Sequence, residues 1–218
     1  MKKILIATAV ATALVSGAAI AKPGAYVGLN LGLGGMDTPK WDTNKLPANT
    51  SDKEERGGLA GRIDAGYLWG QGPFNYGVEM GFASYANNTY KISSGSASEE
   101  LKYSGYNVDL LGVAQYNFTP NWNIFGKAGV AYVHQKTEIS VADGGLSATP
   151  FSKSENKLLP EVAIGGGYQF ANGLGLNLTV SHIFGSKPHA WTDTGNTEDN
   201  MTSVASVNML TFGISYNF

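Results

Sequence analysis

Six charged side chains and three histidines are the residues of this sequence best able to do chemistry. Arg62, Asp64, Glu79, Asp109, Lys127 and Glu161 bring both signs of charge into segments otherwise poor in it. Gathered in one place, they can form an ion network, or, if hydrated, pass small ions. His182 follows Ser181, and a serine with a histidine, oriented by an acid, is the constellation of nucleophilic catalysis. His134 and His189 have no partner at a catalytic or metal-ligand spacing, and the chain has no cysteine. The glycine runs Gly165-Gly166-Gly167 and Gly32-Leu33-Gly34-Gly35 open no helix, so they are not phosphate loops; close backbone approach explains them. The expectation is no catalytic residue, no cofactor and no metal, with the six charges as the one candidate site.

The elements that carry these residues alternate. From Tyr26 to Gly35 the odd positions are Val27, Leu29, Leu31 and Leu33, and the even ones are Gly28, Asn30, Gly32 and Gly34. Period two puts an apolar set on one face of a strand and a small or polar set on the other. Leu59 to Trp69 repeats the pattern, turns at Gly70-Gln71-Gly72-Pro73, and returns from Phe74 to Ala83. Tyr106 to Phe118 turns at Thr119-Pro120-Asn121 into Trp122 to Tyr132. Val162 to Phe170 turns at Ala171-Asn172-Gly173 into Leu174 to Val180, and the last strand runs Leu210 to Phe218. All six charges fall on the small, polar face. A two-residue turn after Gly70 would set Asp64 opposite Glu79, with Arg62 one diagonal away and Lys127 across the interior. An ion-pair network that fills the interior is favoured over a gate for ions, because eight strands enclose little more than side chains.

One strand, three hairpins and one strand make eight. Three connections are short. Four are long and polar, over residues 36–57, 86–100, 135–157 and 186–203. Short turns at one end and long loops at the other describe a transmembrane barrel, and segments of about ten residues suffice to cross. A soluble barrel would carry the apolar face inward. Against it stands an aromatic group near the short turns: Tyr67, Trp69, Phe74, Tyr116, Phe118, Trp122, Tyr168, Phe170, Tyr216 and Phe218 share the apolar face, as an interfacial girdle does.

The start of the chain lies outside this scheme. Lys2 and Lys3, an apolar run from Ile4 to Val15, and Ala19-Ile20-Ala21 make a signal peptide over residues 1–21. Residues 22–218 are then the barrel. The chain of 218 residues carries 15 basic and 17 acidic residues, and two of the basic ones lie in the leader. No basic face for nucleic acid emerges. Glycine, at 29 residues, is about twice its ordinary share.

The segments Ala25-Tyr26-Val27-Gly28, Gly66-Tyr67, Trp122-Asn123-Ile124-Phe125-Gly126-Lys127-Ala128-Gly129-Val130-Ala131-Tyr132, Gly165-Gly166-Gly167-Tyr168 and Phe212-Gly213-Ile214-Ser215-Tyr216-Asn217-Phe218 resemble the OmpA-type and opacity-like outer-membrane β-barrels over nearly the whole mature chain. The resemblance implies an all-β, transmembrane antiparallel up-and-down β-barrel of eight strands in a bacterial outer membrane. It implies lipid and lipopolysaccharide as surroundings, and recognition of the strand ending at Phe218 by the outer-membrane assembly machinery. The resemblance covers the barrel alone, so a periplasmic cell-wall-binding domain of the full OmpA type is not expected. Val180-Ser181-His182-Ile183-Phe184 is similar to the histidine segment of lipid A deacylases, but Phe184 stands where that family places its serine, and Ser186 lies two further on. A lipid A-modifying enzyme is therefore disfavoured. The expected function is structural or surface recognition by a monomer, with a host or surface ligand met by loops that carry Trp41, Trp191 and Asp52-Lys53-Glu54-Glu55-Arg56. A narrow ion-conducting pore is the alternative.

Overall fold

The computed structural model describes residues 23–37, 51–55, 57–94, 97–143, 146–186 and 203–218. The expected signal peptide, Trp41, His189 and Trp191 lie outside them. The described residues form nine strands: β1 (Ala25–Met36), β2 (Ser51–Glu55), β3 (Gly58–Gly70), β4 (Phe74–Ser94), β5 (Ala97–Asn117), β6 (Trp122–Asp143), β7 (Leu146–Gln169), β8 (Leu174–Ile183) and β9 (Val207–Asn217). Eight of them close a ring in the order β4-β3-β1-β9-β8-β7-β6-β5, with β5 returning to β4. All pairings are antiparallel. Closure satisfies the backbone without leaving an edge, as a strand-built span in lipid requires.

The apolar face points outward. Leu29, Leu31, Leu33, Leu59, Ile63, Met80, Leu110, Ile124, Ile164, Leu178, Val180, Leu210, Phe212 and Ile214 are all exposed, Leu59 at 73%. Their partners in the alternation, such as Asn30, Glu79, Asn107, Asp109 and Glu161, are buried. A soluble barrel would show the reverse. Near the short turns Tyr67, Trp69, Phe74, Tyr116, Phe118, Trp122, Phe170 and Phe218 are exposed. Ring contacts tie Tyr67 to Trp69 at 5.0 Å and Trp122 to Tyr168 at 5.0 Å. Tyr216 shares that face with Phe218, which meets its ring edge-on at 5.1 Å, and neighbours cover it to 9% exposure.

The ring is uneven in height. Strands β4 to β7 have 21, 21, 22 and 24 residues, against 12, 13, 10 and 11 for β1, β3, β8 and β9. Two of the expected long loops, 86–100 and 135–157, are therefore mostly strand. Polar residues hid them: beyond the apolar band a strand no longer needs an apolar face, so the alternation that marks a crossing segment fades while the ladder continues. Within the first expected loop, β2 pairs with β4 from Glu55↔Thr89 to Ser51↔Ser93, in line with β3. Gly57 makes the break between β2 and β3 at φ 68°, a conformation that suits glycine, and its N–H donates to Asn88 Oδ1 at 2.8 Å. On β4 a bulge sets Ala86 and Asn87 against Ser104 alone, so Tyr85 and Asn88 both turn inward.

Candidate functional site

The inward face is layered along the axis. At the short-turn end a cavity of about 60 Å³ is lined by polar side chains that include Gln115, Asn123, Gln169 and Asn177. Next comes the ion layer. At the long-loop end the interior is apolar, built from Met36, Ala60, Ala83, Tyr85, Ala131, Val133, Ile183, Val207 and Met209, all buried.

All six charges predicted from the sequence meet in the middle layer. Arg62 is the bridge. Its Nη1 and Nη2 donate to Asp109 Oδ2 and Oδ1 at 2.6 and 2.8 Å, and Nη2 also donates to Glu79 Oε1 at 2.9 Å. A planar guanidinium fits a carboxylate with two parallel bonds, so the Asp109 pair fixes its orientation. Lys127 Nζ donates to both oxygens of Glu79, at 2.8 and 2.6 Å, and stands 5.0 Å from the Phe125 ring centroid. Glu161 Oε1 lies 3.7 Å from Arg62 Nη1, and Asp64 Oδ2 lies 3.8 Å from Arg62 Nε.

The layer is held together by residues that the sequence reading did not assign to it. Tyr26 Oη donates to Glu79 Oε2 at 2.7 Å, and Asn30 Nδ2 donates to Asp64 Oδ2 at 2.5 Å. Both are inward positions of β1, and Asn30 lies in the polar half of its alternation, so its face was legible but its partner was not. Gly81 is the third such residue. A methyl there would overlap the Arg62 guanidinium and stand 2.9 Å from Asp109 Oδ1. The missing side chain is what lets Arg62 cross to β4 and β5.

The expected register of the first hairpin is off by two. Asp64 lies opposite Gly81, and Glu79 opposite Gly66. Four residues, not two, separate the pair Gly70↔Asn75, since the turn carries Gly72 at φ 89° and Pro73, which has no N–H to give. Glu79 is thus two diagonals from Arg62, and the bidentate contact of Arg62 is with Asp109 on β5, whereas the sequence reading set Arg62 beside a facing Asp64 and Glu79 pair.

The apolar end is closed by residues 203–206. Val204 and Ala205 are fully buried. The side-chain amide of Gln135 pairs with the Ala205 peptide in both directions: Ala205 N–H donates to Oε1 at 2.8 Å, and Nε2 donates to the Ala205 carbonyl at 3.0 Å. Ser186 N–H donates to the Val204 carbonyl and Asp37 N–H to the Ser206 carbonyl, each at 2.8 Å. The signal for this layer was a loss of alternation. Ile183 between His182 and Phe184, and Val207 and Met209 beside Leu210, put apolar residues on both faces.

The serine and histidine that could do acyl chemistry point apart. Ser181 faces inward, and His182 faces outward with Nδ1 2.7 Å from Asn208 Oδ1 and its ring 4.4 Å from Phe184. His134 is likewise outward, stacked on Tyr106 at 4.9 Å with Nδ1 2.6 Å from Asn156 Oδ1. Among the described residues no three acidic or histidine side chains are grouped to hold a metal ion.

Comparison with known proteins places this geometry in a family. The chain is 26% identical over 195 residues to an uncharacterised protein of Coxiella burnetii (strain RSA 493 / Nine Mile phase I), covering 78% of this chain and 72% of that one. The outer membrane protein OprG of Pseudomonas aeruginosa superposes with a TM-score of 0.53 at 14% identity, over 90% of this chain and 98% of that one. The attachment invasion locus protein Ail of Yersinia pestis is also similar, with a TM-score of 0.46 at 16% identity over 90% and 100% of the two chains. The family model for the outer membrane protein beta-barrel domain matches residues 4–218, and the chain belongs to that family of bacterial outer-membrane barrels.

Proposed function

We propose that this protein is a sealed outer-membrane barrel that acts by recognition at the cell surface rather than by transport or catalysis. The observation that carries this reading is the tall wall of β4 to β7, which rises beyond the apolar band as paired strand. A paired wall holds its side chains in fixed positions, as a recognition surface requires. Its outer face carries the ion pair of Lys136 Nζ with Glu138 Oε1 at 2.7 Å, and its inner face that of Lys153 Nζ with Glu155 Oε1 at 3.4 Å. The lumen supports the same reading. An ion that entered from the short-turn end would meet the Arg62 and Lys127 network and then an apolar segment that water does not wet. The separation of Ser181 from His182 counts against acyl transfer.

In this reading residues 1–21 direct export and are removed, the barrel stays monomeric, and assembly begins from the strand ending at Phe218. The long-loop end faces out of the cell, against lipopolysaccharide, and the short turns face the periplasm. Asn87→Cys on intact cells therefore reacts with a membrane-impermeant thiol reagent, while Gln71→Cys and Asn172→Cys do not. Replacing residues 89–102 by an Asn-Gly turn removes one arm of the wall and leaves the crossing segments whole. Cells displaying the full chain adhere to cultured epithelial cells, and cells displaying the trimmed chain, folded by its heat-modifiable gel mobility, lose that adherence. Equal adherence of full, trimmed and empty-vector cells would sink the recognition reading.

A further inference from the structure

The ion layer contains four carboxylates and two cations, and its surplus charge gathers at one place. Glu161 is 1% exposed, and neither carboxylate oxygen has a hydrogen-bond partner among the described residues. Arg62 is its nearest cation, at 3.7 Å, but that guanidinium donates to Asp109 and Glu79. Lys127 donates to Glu79. A carboxylate withdrawn from water without hydrogen bonds or a dedicated counter-charge is strongly disfavoured.

Beside Glu161 lies a cavity of about 20 Å³, bordered also by Asp64 and by Thr179, Ser181 and Thr211. Its size is that of one water-sized occupant. Ser181 lies opposite Ala163, one diagonal from Glu161, and Thr179 lies opposite Thr211 across β8 and β9. The three hydroxyls thus stand on the two strands that follow β7 around the ring. Arg62 and Lys127 border the same cavity, but Asp109 and Glu79 match their charges. The donor set is the unpartnered Glu161 carboxylate with neutral hydroxyl oxygens, beside Asp64, whose Oδ2 already accepts from Asn30. A divalent ion is a poor match, since the described residues offer no grouping of three acidic or histidine ligands. Hard, singly charged ions take this kind of all-oxygen site at a lower charge.

We propose that the cavity beside Glu161 binds one alkali cation, sodium or potassium, through the Glu161 carboxylate and the hydroxyls of Thr179, Ser181 and Thr211. The ion offsets one of the two surplus negative charges of the layer and ties β7 to β8 and β9. It makes the stability of the folded barrel depend on which cation the surrounding water supplies, apart from ionic strength.

The test uses the full barrel folded in a non-ionic detergent, with ionic strength held constant by N-methylglucamine chloride. Sodium-23 line width rises saturably with folded protein, and potassium reverses the rise. Glu161→Gln keeps the folded gel mobility and loses the broadening. In parallel, the urea midpoint of the native barrel is higher in sodium or potassium chloride than in N-methylglucamine chloride, and Glu161→Gln removes that difference. Three results would overturn the site: no saturable broadening together with equal midpoints in all three salts; the same cation dependence in Glu161→Gln; or a midpoint that follows pH and ignores the cation, which would make the occupant a proton.

Discussion

Arg62 is the side chain whose removal strands the most charge. Without it Asp109 keeps only the Asn107 amide, whose Nδ2 donates at 3.0 Å, while Glu79 keeps Lys127 and Tyr26. Breaking a buried ion pair from one side costs about 3–5 kcal/mol. Arg62→Ala is expected to lower the stability of the barrel by that order, read by urea unfolding in lipid vesicles. The two possible rescues differ. Asp109→Asn added to Arg62→Ala recovers more than Glu79→Gln, because Asp109 loses its bidentate cation while Glu79 keeps Lys127. Equal recovery by both, or none by either, would mean that the bidentate contact does not organise the layer. At this scale the sequence reading found the six charges because alternation sorts faces without any knowledge of register. It missed who pairs with whom, since Pro73 and Gly72 lengthen a turn by two residues and every cross-strand partner on that hairpin moves with it. Asp109 was on the correct face and assigned no particular partner for the same reason.

The strands set two environments that one substitution each can separate. Leu110 faces outward at 54% exposure, near the middle of the apolar band. Gln115 is on the same strand, faces inward, and borders the open cavity at the short-turn end. Leu110→Arg is expected to cost about 2–4 kcal/mol, the range for a cation at the midplane of a barrel's outer surface. Gln115→Lys is expected to cost no more than about 1 kcal/mol, since it forfeits only the 2.9 Å bond from Gln115 Nε2 to Asn117 Oδ1 beside the open cavity. Urea unfolding in vesicles checks both, with heat-modifiable gel mobility as the readout of assembly. Comparable tolerance at the two positions would assign the faces of β5 wrongly. Asn107, also inward, is no such neutral site, because it is fully buried beside Asp109. The crossing parts of the strands were legible since lipid on one side and a narrow interior on the other enforce period two. The upper halves of β4 to β7 were not, since water on the outer face lets polar residues occupy strand positions. Residues 203–206 gave no periodic signal at all, being an irregular segment placed by Gln135.

The whole molecule is a ring closed twice across its axis, by charge in the middle and by apolar side chains at the long-loop end. Either closure alone would hinder an ion. The ion layer offers four carboxylates bridged by Arg62 and Lys127 across the axis, and the apolar end offers no group to replace a hydration shell. Recognition at the surface and transport through the axis make opposite demands on that interior, and the current through a single barrel separates them. The native protein, folded and inserted into a planar bilayer in 1 M potassium chloride (where a Debye length of about 3 Å screens the surface charge), is predicted to give a flat trace. The double substitution Arg62→Ala with Gln135→Ala, which opens both closures, is predicted to give resolvable current steps. Steady conductance from the native barrel would contradict the sealed lumen and return the protein to the narrow-pore reading.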